Sequence, residues 1–271
     1  MIEDLGQKSG WALLYGAALA ASFCPMLFQL LFATVAMGIV GMAHGASDLA
    51  VVRPEKRVLF LSGYLTLMVL CLLVWQSYPA GALPVFLLAS AVHFTVEEPA
   101  QSGWLRRLAL GLGLVTIPAV FYRTDTALLL SYTGSSPHSL ASAISVMHGI
   151  GILCAVLIFI PALVRKDYRT LTGVLSLLFF PPLIGFSVGF LILHALPKTH
   201  DRRRALGCEN YYDYLRLTWP ILCGALVFSL LAIIFVFPEA QKPVRTLFTL
   251  LTALALPHLL ITPLFESNEN N

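Results

Sequence analysis

Charge is what this sequence has least of. Only 11% of its 271 residues are Asp, Glu, Lys or Arg, whereas 58% are hydrophobic and the mean hydropathy is +0.82. A soluble domain carries about 25% charged residues, so this balance excludes a water-soluble globule and specifies a polytopic membrane protein. The net charge of +3 is small, and the cations lie in short loops between apolar runs. That is a pattern of membrane topology, with no nucleic-acid surface in it. Cysteine is also sparse. Cys24, Cys71, Cys154, Cys208 and Cys223 include no CxxC pair, and four of the five sit in apolar runs as small packing residues. No low-complexity segment and no internal repeat is found. The opening MIEDLGQKSG is acidic and polar, which argues against a removable signal peptide.

What the chain has in quantity is apolar runs, and a bilayer span needs ~20 such residues. Residues 11–52 are too long for one span. Pro25 divides them, predicting helices over 11–24 and 26–46. Further spans are predicted over 58–76, 82–96, 104–122, 140–164, 217–237 and 245–265, with 123–139 as a polar loop. Residues 170–197 form a 28-residue apolar run interrupted by Pro181-Pro182. The expected fold class is all-α: a polytopic transmembrane bundle of about 8–9 helices, one segment broken at Pro181-Pro182, in a single membrane domain over 1–271.

The positive-inside rule places the basic loops 53–57, 97–107 and 165–169 in the cytoplasm. The basic loop 198–216 joins them only if residues 170–197 enter and leave on the same side. A two-part segment would allow that, since non-helical backbone is tolerated where protein covers it. One straight span would put the loop outside.

Five histidines lie in or at the ends of apolar runs: His44, His93, His148, His194 and His258. Any one of them could be a packed interhelical residue, and for His148 that is the preferred reading. Several converging on one metal is the sharper reading, because neutral imidazole suits iron, zinc and copper. In the two-part topology His44, His93, His194 and His258 lie toward one membrane face, and His148 does not share their level. Metal-bound histidines usually donate their other ring N–H to a carboxylate or carbonyl. Asp48 follows His44 by four residues and Glu97 follows His93 by four, which on a helix is the same face. Gly45 lets a backbone or ligand approach His44. The plainer readings are a loop salt bridge for Asp48 and a solvated interfacial pair for Glu97 and Glu98.

The segments Gly41-Met42-Ala43-His44-Gly45-Ala46-Ser47-Asp48, His93-Phe94 with Glu98, Pro181-Pro182 through His194, and Leu256-Pro257-His258 occur in an order and spacing that resembles the Brp/Blh family of membrane β-carotene 15,15′-dioxygenases. The resemblance covers about residues 37–265 and leaves 1–36 as an extra N-terminal hairpin region. It implies a non-haem Fe(II) centre ligated by His44, His93 and His194, with His200 as fourth ligand and His258 as the alternative. The family's histidine pair is four residues apart, whereas here Lys198 stands four after His194 and His200 stands six after it. Thr95 replaces the family's glycine, and Glu98 its aspartate. Asp48, Glu97 and Glu98 are the expected partners of the ligands. Phe94, Phe179, Phe180, Phe186 and Phe190 are the candidates for a substrate channel, with the double-proline break as its portal.

The implied reaction is cleavage of β-carotene, or a related carotenoid taken from the bilayer lipid, by O2 to give retinal. The implied setting is a bacterial inner membrane, with hand-off of retinal to a rhodopsin-like protein. Three rival readings stand beside it. A transporter or proton relay needs acids on both sides of the midplane, whereas the acids here lie near the interfaces. A membrane cytochrome needs two histidines at matched depth on facing helices. A relative that binds carotenoid or retinal without cutting it would need no complete ligand set.

Overall fold

The computed structural model describes residues 2–135, 137–237 and 242–265, and these contain helices but no strand. Ser136, in the polar stretch 123–139, lies outside them. Among the described residues, seven helices are long and apolar enough to cross a membrane. In the labels used below they are α2 (Met26–Val51), α3 (Pro54–Ser77), α4 (Pro79–Glu97), α7 (Pro137–Arg165), α9 (Pro182–Ala205), α10 (Tyr211–Phe235) and α11 (Pro243–Phe265). Before them lies α1 (Ile2–Ser22), and between them lie α5 (Trp104–Thr116), α6 (Arg123–Ser131) and α8 (Tyr168–Phe179). Exposed leucines and valines cover the outside of the bundle, among them Leu59, Leu73, Val85, Leu88 and Leu230. In lipid that surface is matched by its solvent, and it needs no protein partner.

The break after residue 179 is real. Phe180 and Pro181 are both extended, with ψ of 154° and 149°, and Pro182 then opens α9. A proline is well placed at the first position of a helix, because its missing N–H would have no helical partner there. The two pieces fold back on each other. Gly173 faces Leu193, Leu177 faces Gly189, and the Ser176 carbonyl faces Gly185, which is antiparallel pairing. The segment is therefore a two-part hairpin and not one straight helix. α9 is the central helix of the bundle: 72% of its apolar window is buried, against 11% for the lipid-facing α10.

The stretch 123–139, read from sequence as a loop, contains the helix α6. Thr126, Leu129 and Leu130 are buried on one side of it, at helical spacing, and Leu130 packs in a cluster with Leu140 and Ile144 of α7. The predicted span over 104–122 is also interrupted. Its first helix ends at Thr116, and Pro118 starts a separate turn.

The C-terminal end of α4 is pinned by cations. Arg107 donates to the carbonyls of Thr95 at 3.2 Å and Val96 at 3.0 Å, and Lys198 of α9 donates to the carbonyl of Glu97. The last carbonyls of a helix lack intrahelical partners and carry its negative dipole end, so positive donors suit them. Nearby, α5 presses onto α4 at Gly111, where a Cβ would stand 2.5 Å from the Ala91 carbonyl. Gly111→Ala should therefore separate the helices at a cost of about 1–3 kcal/mol, seen as a lower thermal midpoint in detergent. Gly149→Ala, where a Cβ meets nothing within 4 Å, should leave the midpoint unchanged or raise it slightly through helix propensity.

Candidate metal centre

Four of the histidines meet in the bundle, each delivered by a different helix. His44 comes from α2, His93 from α4, His194 from α9 and His258 from α11. Their rings form a closed square. The centroids are 5.4 Å apart for His44–His194 and 5.2 Å for His44–His258, His93–His194 and His93–His258. His44, His194 and His258 are almost fully buried, and His93 is partly so.

Two of these helices are locally irregular where they carry their histidine. Thr34–Val40 of α2 is π-helical and is followed by two short 3-10 turns, Gly41–Ala43 and Gly45–Ser47, on either side of His44. Leu191–Ala195 of α9 is again π-helical and holds His194. Such departures re-aim side chains and are frequent at functional sites. The freed backbone groups near His44 are re-used. His44 Nδ1–H donates to the Gly41 carbonyl at 2.6 Å, Ser47 Oγ donates to the His44 carbonyl at 2.5 Å, and Tyr214 of α10 donates to the Ala43 carbonyl at 2.7 Å. The first of these bonds fixes the tautomer, leaving Nε2 of His44 as the acceptor.

The acids divide differently from the sequence expectation. Asp48 does not pair with His44. Its Oδ2 accepts from His258 Nδ1–H at 2.7 Å and from the Thr262 hydroxyl at 2.7 Å. The cause is the 3-10 turn at Gly45–Ser47: at three residues per turn, position i+4 no longer lies above position i. Glu97 does stand near His93, with Oε2 at 3.7 Å from its Nε2, but it also lies 3.5 Å from His194 Nε2 and 3.9 Å from His258 Nε2. Glu98 is the extended residue that ends α4, outside this group.

His200 is not brought into the square. It lies further along α9, with Nδ1 3.4 Å from the Tyr211 hydroxyl. His148 is a packed residue as expected, donating from Nδ1 to the Ala119 carbonyl at 3.1 Å. Gly45 faces the His258 ring at an ordinary 3.7 Å, so the tight approach falls elsewhere. A Cβ on Gly41 would meet the Phe190 ring at 2.5 Å.

The donor set suits a transition metal. Both ring nitrogens of His194, Nε2 of His258, Oδ1 of Asp48 and Oε2 of Glu97 are buried without a hydrogen-bond partner. One ligand atom each from His44, His93, Glu97 and His194 lies within 4.8 Å of the others. Ligands held at ~2.1 Å by one metal stand roughly 3–4 Å apart, which is the spacing of Glu97 from the rings. His44 and His258 also donate their second ring N–H to a carbonyl and a carboxylate, as metal-bound imidazoles do.

Around the square the walls are apolar. Phe94, Phe186 and Phe190 line the cavity, together with Met37, Met42, Phe86 and Leu251, which sequence reading did not single out. Ser90, one turn before His93, could have been found from that spacing. Phe179 and Phe180 do not line it: they flank the helix break, where Phe179 packs on Phe121 and Phe180 on Tyr15. A second cavity shares Met37, Phe86 and Phe186 with the first and reaches Pro182. A third shares Met42 and Gly45 and opens between α3 and α10. Apolar space thus extends from the histidines in two directions.

The molecule is, in class, a polytopic helical membrane protein with a buried histidine and carboxylate centre inside an apolar passage. The family model described as Beta-carotene 15,15'-dioxygenase matches residues 35–266, and the chain belongs to that family of carotenoid-cleaving dioxygenases. It is similar to the protein named Beta-carotene 15,15'-dioxygenase from Uncultured marine bacterium 66A03. The two are 25% identical over 250 residues, which cover 82% of this chain and 88% of that protein. No solved structure matches the chain.

The Asp48 pairing makes a stability prediction. Asp48→Ala leaves the Thr262 hydroxyl and His258 Nδ1–H without their buried acceptor, which should cost about 1–3 kcal/mol. Asp48→Asn keeps an oxygen acceptor and should lose less. Thermal midpoints of the two purified variants in the same detergent compare them directly.

Proposed function

We propose that this chain cleaves β-carotene at its central 15,15′ double bond with O2, giving retinal, at an Fe(II) held by His44, His93 and His194. The family membership supports the carotenoid and the reaction. The observation that carries the site is the square of imidazoles with apolar cavities leading away on two sides. For the fourth ligand the geometry favours His258 over His200, since His258 is in the square and its Nε2 has no other partner. When bound there, the iron supplies the site at which O2 is activated.

The chain's own residues do the rest. Gly41 and Asp48 hold the His44 and His258 rings in one tautomer with Nε2 turned inward. Phe94, Phe186 and Phe190 exclude water and confine a flat polyene beside the square. A C40 chain threaded from the cavity at Pro182 to the one between α3 and α10 has its middle at the histidines, and positioning of that kind decides which bond reacts. Both ends of the passage are lined by apolar side chains, which suits a substrate delivered by the bilayer.

The orientation proposed is that of the positive-inside rule in a bacterial inner membrane. The exposed aromatic residues Trp104, Tyr168, Tyr211 and Tyr212 beside the basic segments suit interfacial anchors at that level. Retinal would then leave into the same bilayer, where a rhodopsin-like protein could take it up.

Expression in a β-carotene-producing bacterium without rhodopsins tests the reaction. Wild type should convert β-carotene to retinal, measured by chromatography, and His44→Ala should abolish the product. Apocarotenals of unequal length would overturn central cleavage, and undiminished β-carotene with folded, iron-loaded protein would overturn the substrate. Iron content decides the fourth ligand: His258→Ala should lose most of its iron, and His200→Ala should keep it.

A further inference from the structure

The acid that faces the inner nitrogens of the square has one carboxylate oxygen without a hydrogen-bond partner. Glu97 Oε2 is buried and accepts no hydrogen bond, although it stands 3.5 Å from His194 Nε2 and 3.7 Å from His93 Nε2. A carboxylate placed among imidazoles to hydrogen-bond them would sit at about 2.7–2.9 Å, as Asp48 does on His258 at 2.7 Å. The two acids therefore relate to their histidines in different ways. Asp48 is hydrogen-bonded to the far nitrogen of a ring. Glu97 faces the near nitrogens of three rings at the separation of co-ligands.

We infer that Glu97 is itself a metal ligand, so that the centre is a mixed histidine–carboxylate site in place of an all-histidine one. The inference rests on the reading of the square as a metal centre. His44, His93, Glu97 and His194 bring four donor atoms within 4.8 Å of one another, and His258 lies just beyond them with its Nε2 3.9 Å from Glu97 Oε1. His93 and Glu97 then grip the metal from adjacent turns of α4. The end of that helix is immobilised for the purpose. Arg107 binds the carbonyls of Thr95 and Val96, and Lys198 binds the carbonyl of Glu97 itself. Lys198 acts as a positioning residue here, through the backbone of its neighbour. A carboxylate ligand also neutralises part of the charge of a divalent ion, which neutral imidazoles cannot do in a low-dielectric site.

Co(II) binding to the purified protein in detergent tests this, with absorption bands of the bound ion as a readout independent of turnover. Wild type should bind about one Co(II) per chain. Glu97→Gln, which keeps the shape, should weaken binding by more than the ~10–100-fold that loss of an outer partner costs. In Glu97→Ala the bands of Co(II) at high concentration should shift, and added acetate should move them back. Circular dichroism and gel filtration establish that both variants are folded. Binding weakened less than that, with bands that neither shift nor respond to acetate, would overturn the assignment and make Glu97 an outer partner. Failure of the wild type to bind Co(II) or Fe(II) would overturn the metal reading itself.

Discussion

The structure is built around the cost of placing imidazoles and carboxylates in hydrocarbon. An isolated ionisable group inside a bilayer is expensive, and the expense is removed only by partners. Here His44, His93, His194, His258, Asp48 and Glu97 surround one another, while five of their buried polar atoms remain without a hydrogen-bond partner. Every helix that matters is arranged to deliver one of these groups to one level. The others shield them.

That requirement explains the irregular backbone. A regular helix presents a residue to a given neighbour only once in 3.6 positions. The π-turns at Thr34–Val40 and Leu191–Ala195 rotate His44 and His194 into line, at the cost of intrahelical hydrogen bonds that Gly41, Ser47 and Tyr214 partly recover. The hairpin of α8 and α9 serves the same end. By turning back at Pro181, the chain makes α9 a central helix surrounded by protein, and only there can a segment carrying Ser187, His194 and Thr199 remain buried.

Much of this was legible in the sequence. The apolar runs marked most of the spans and the double proline marked the break, while loop charge left residues 170–197 open between a two-part segment and one straight span. His44, His93 and His194 stood out because an imidazole in hydrocarbon is rare enough to need a reason. What failed did so where local periodicity stopped being helical. Asp48 was assigned to His44 by an i+4 rule that a 3-10 turn invalidates. Phe179 and Phe180 were placed in the channel because they adjoin the break taken as its portal, whereas they pack there against Phe121 and Tyr15. The helix α6 was missed because its polar residues outweigh three buried ones in any average. His258 could only be an alternative, since nothing local says that the last helix packs beside His44 and His93.

Lys198 is the sharpest departure from the family pattern, standing four residues after His194 where the pattern has a second histidine. A lysine there could be a defect in the ligand set. Its surroundings argue otherwise. The ammonium group is bonded to the Glu97 carbonyl, so it is committed to the end of α4. The residue it secures carries the carboxylate that faces three of the four rings. In the proposed centre, one position on α9 has exchanged a ligand for an anchor. Donors from α4 and α11 then occupy the sphere that α9 gives up. Such an exchange changes the charge of the donor set, because Glu97 brings an anion where an imidazole brings none.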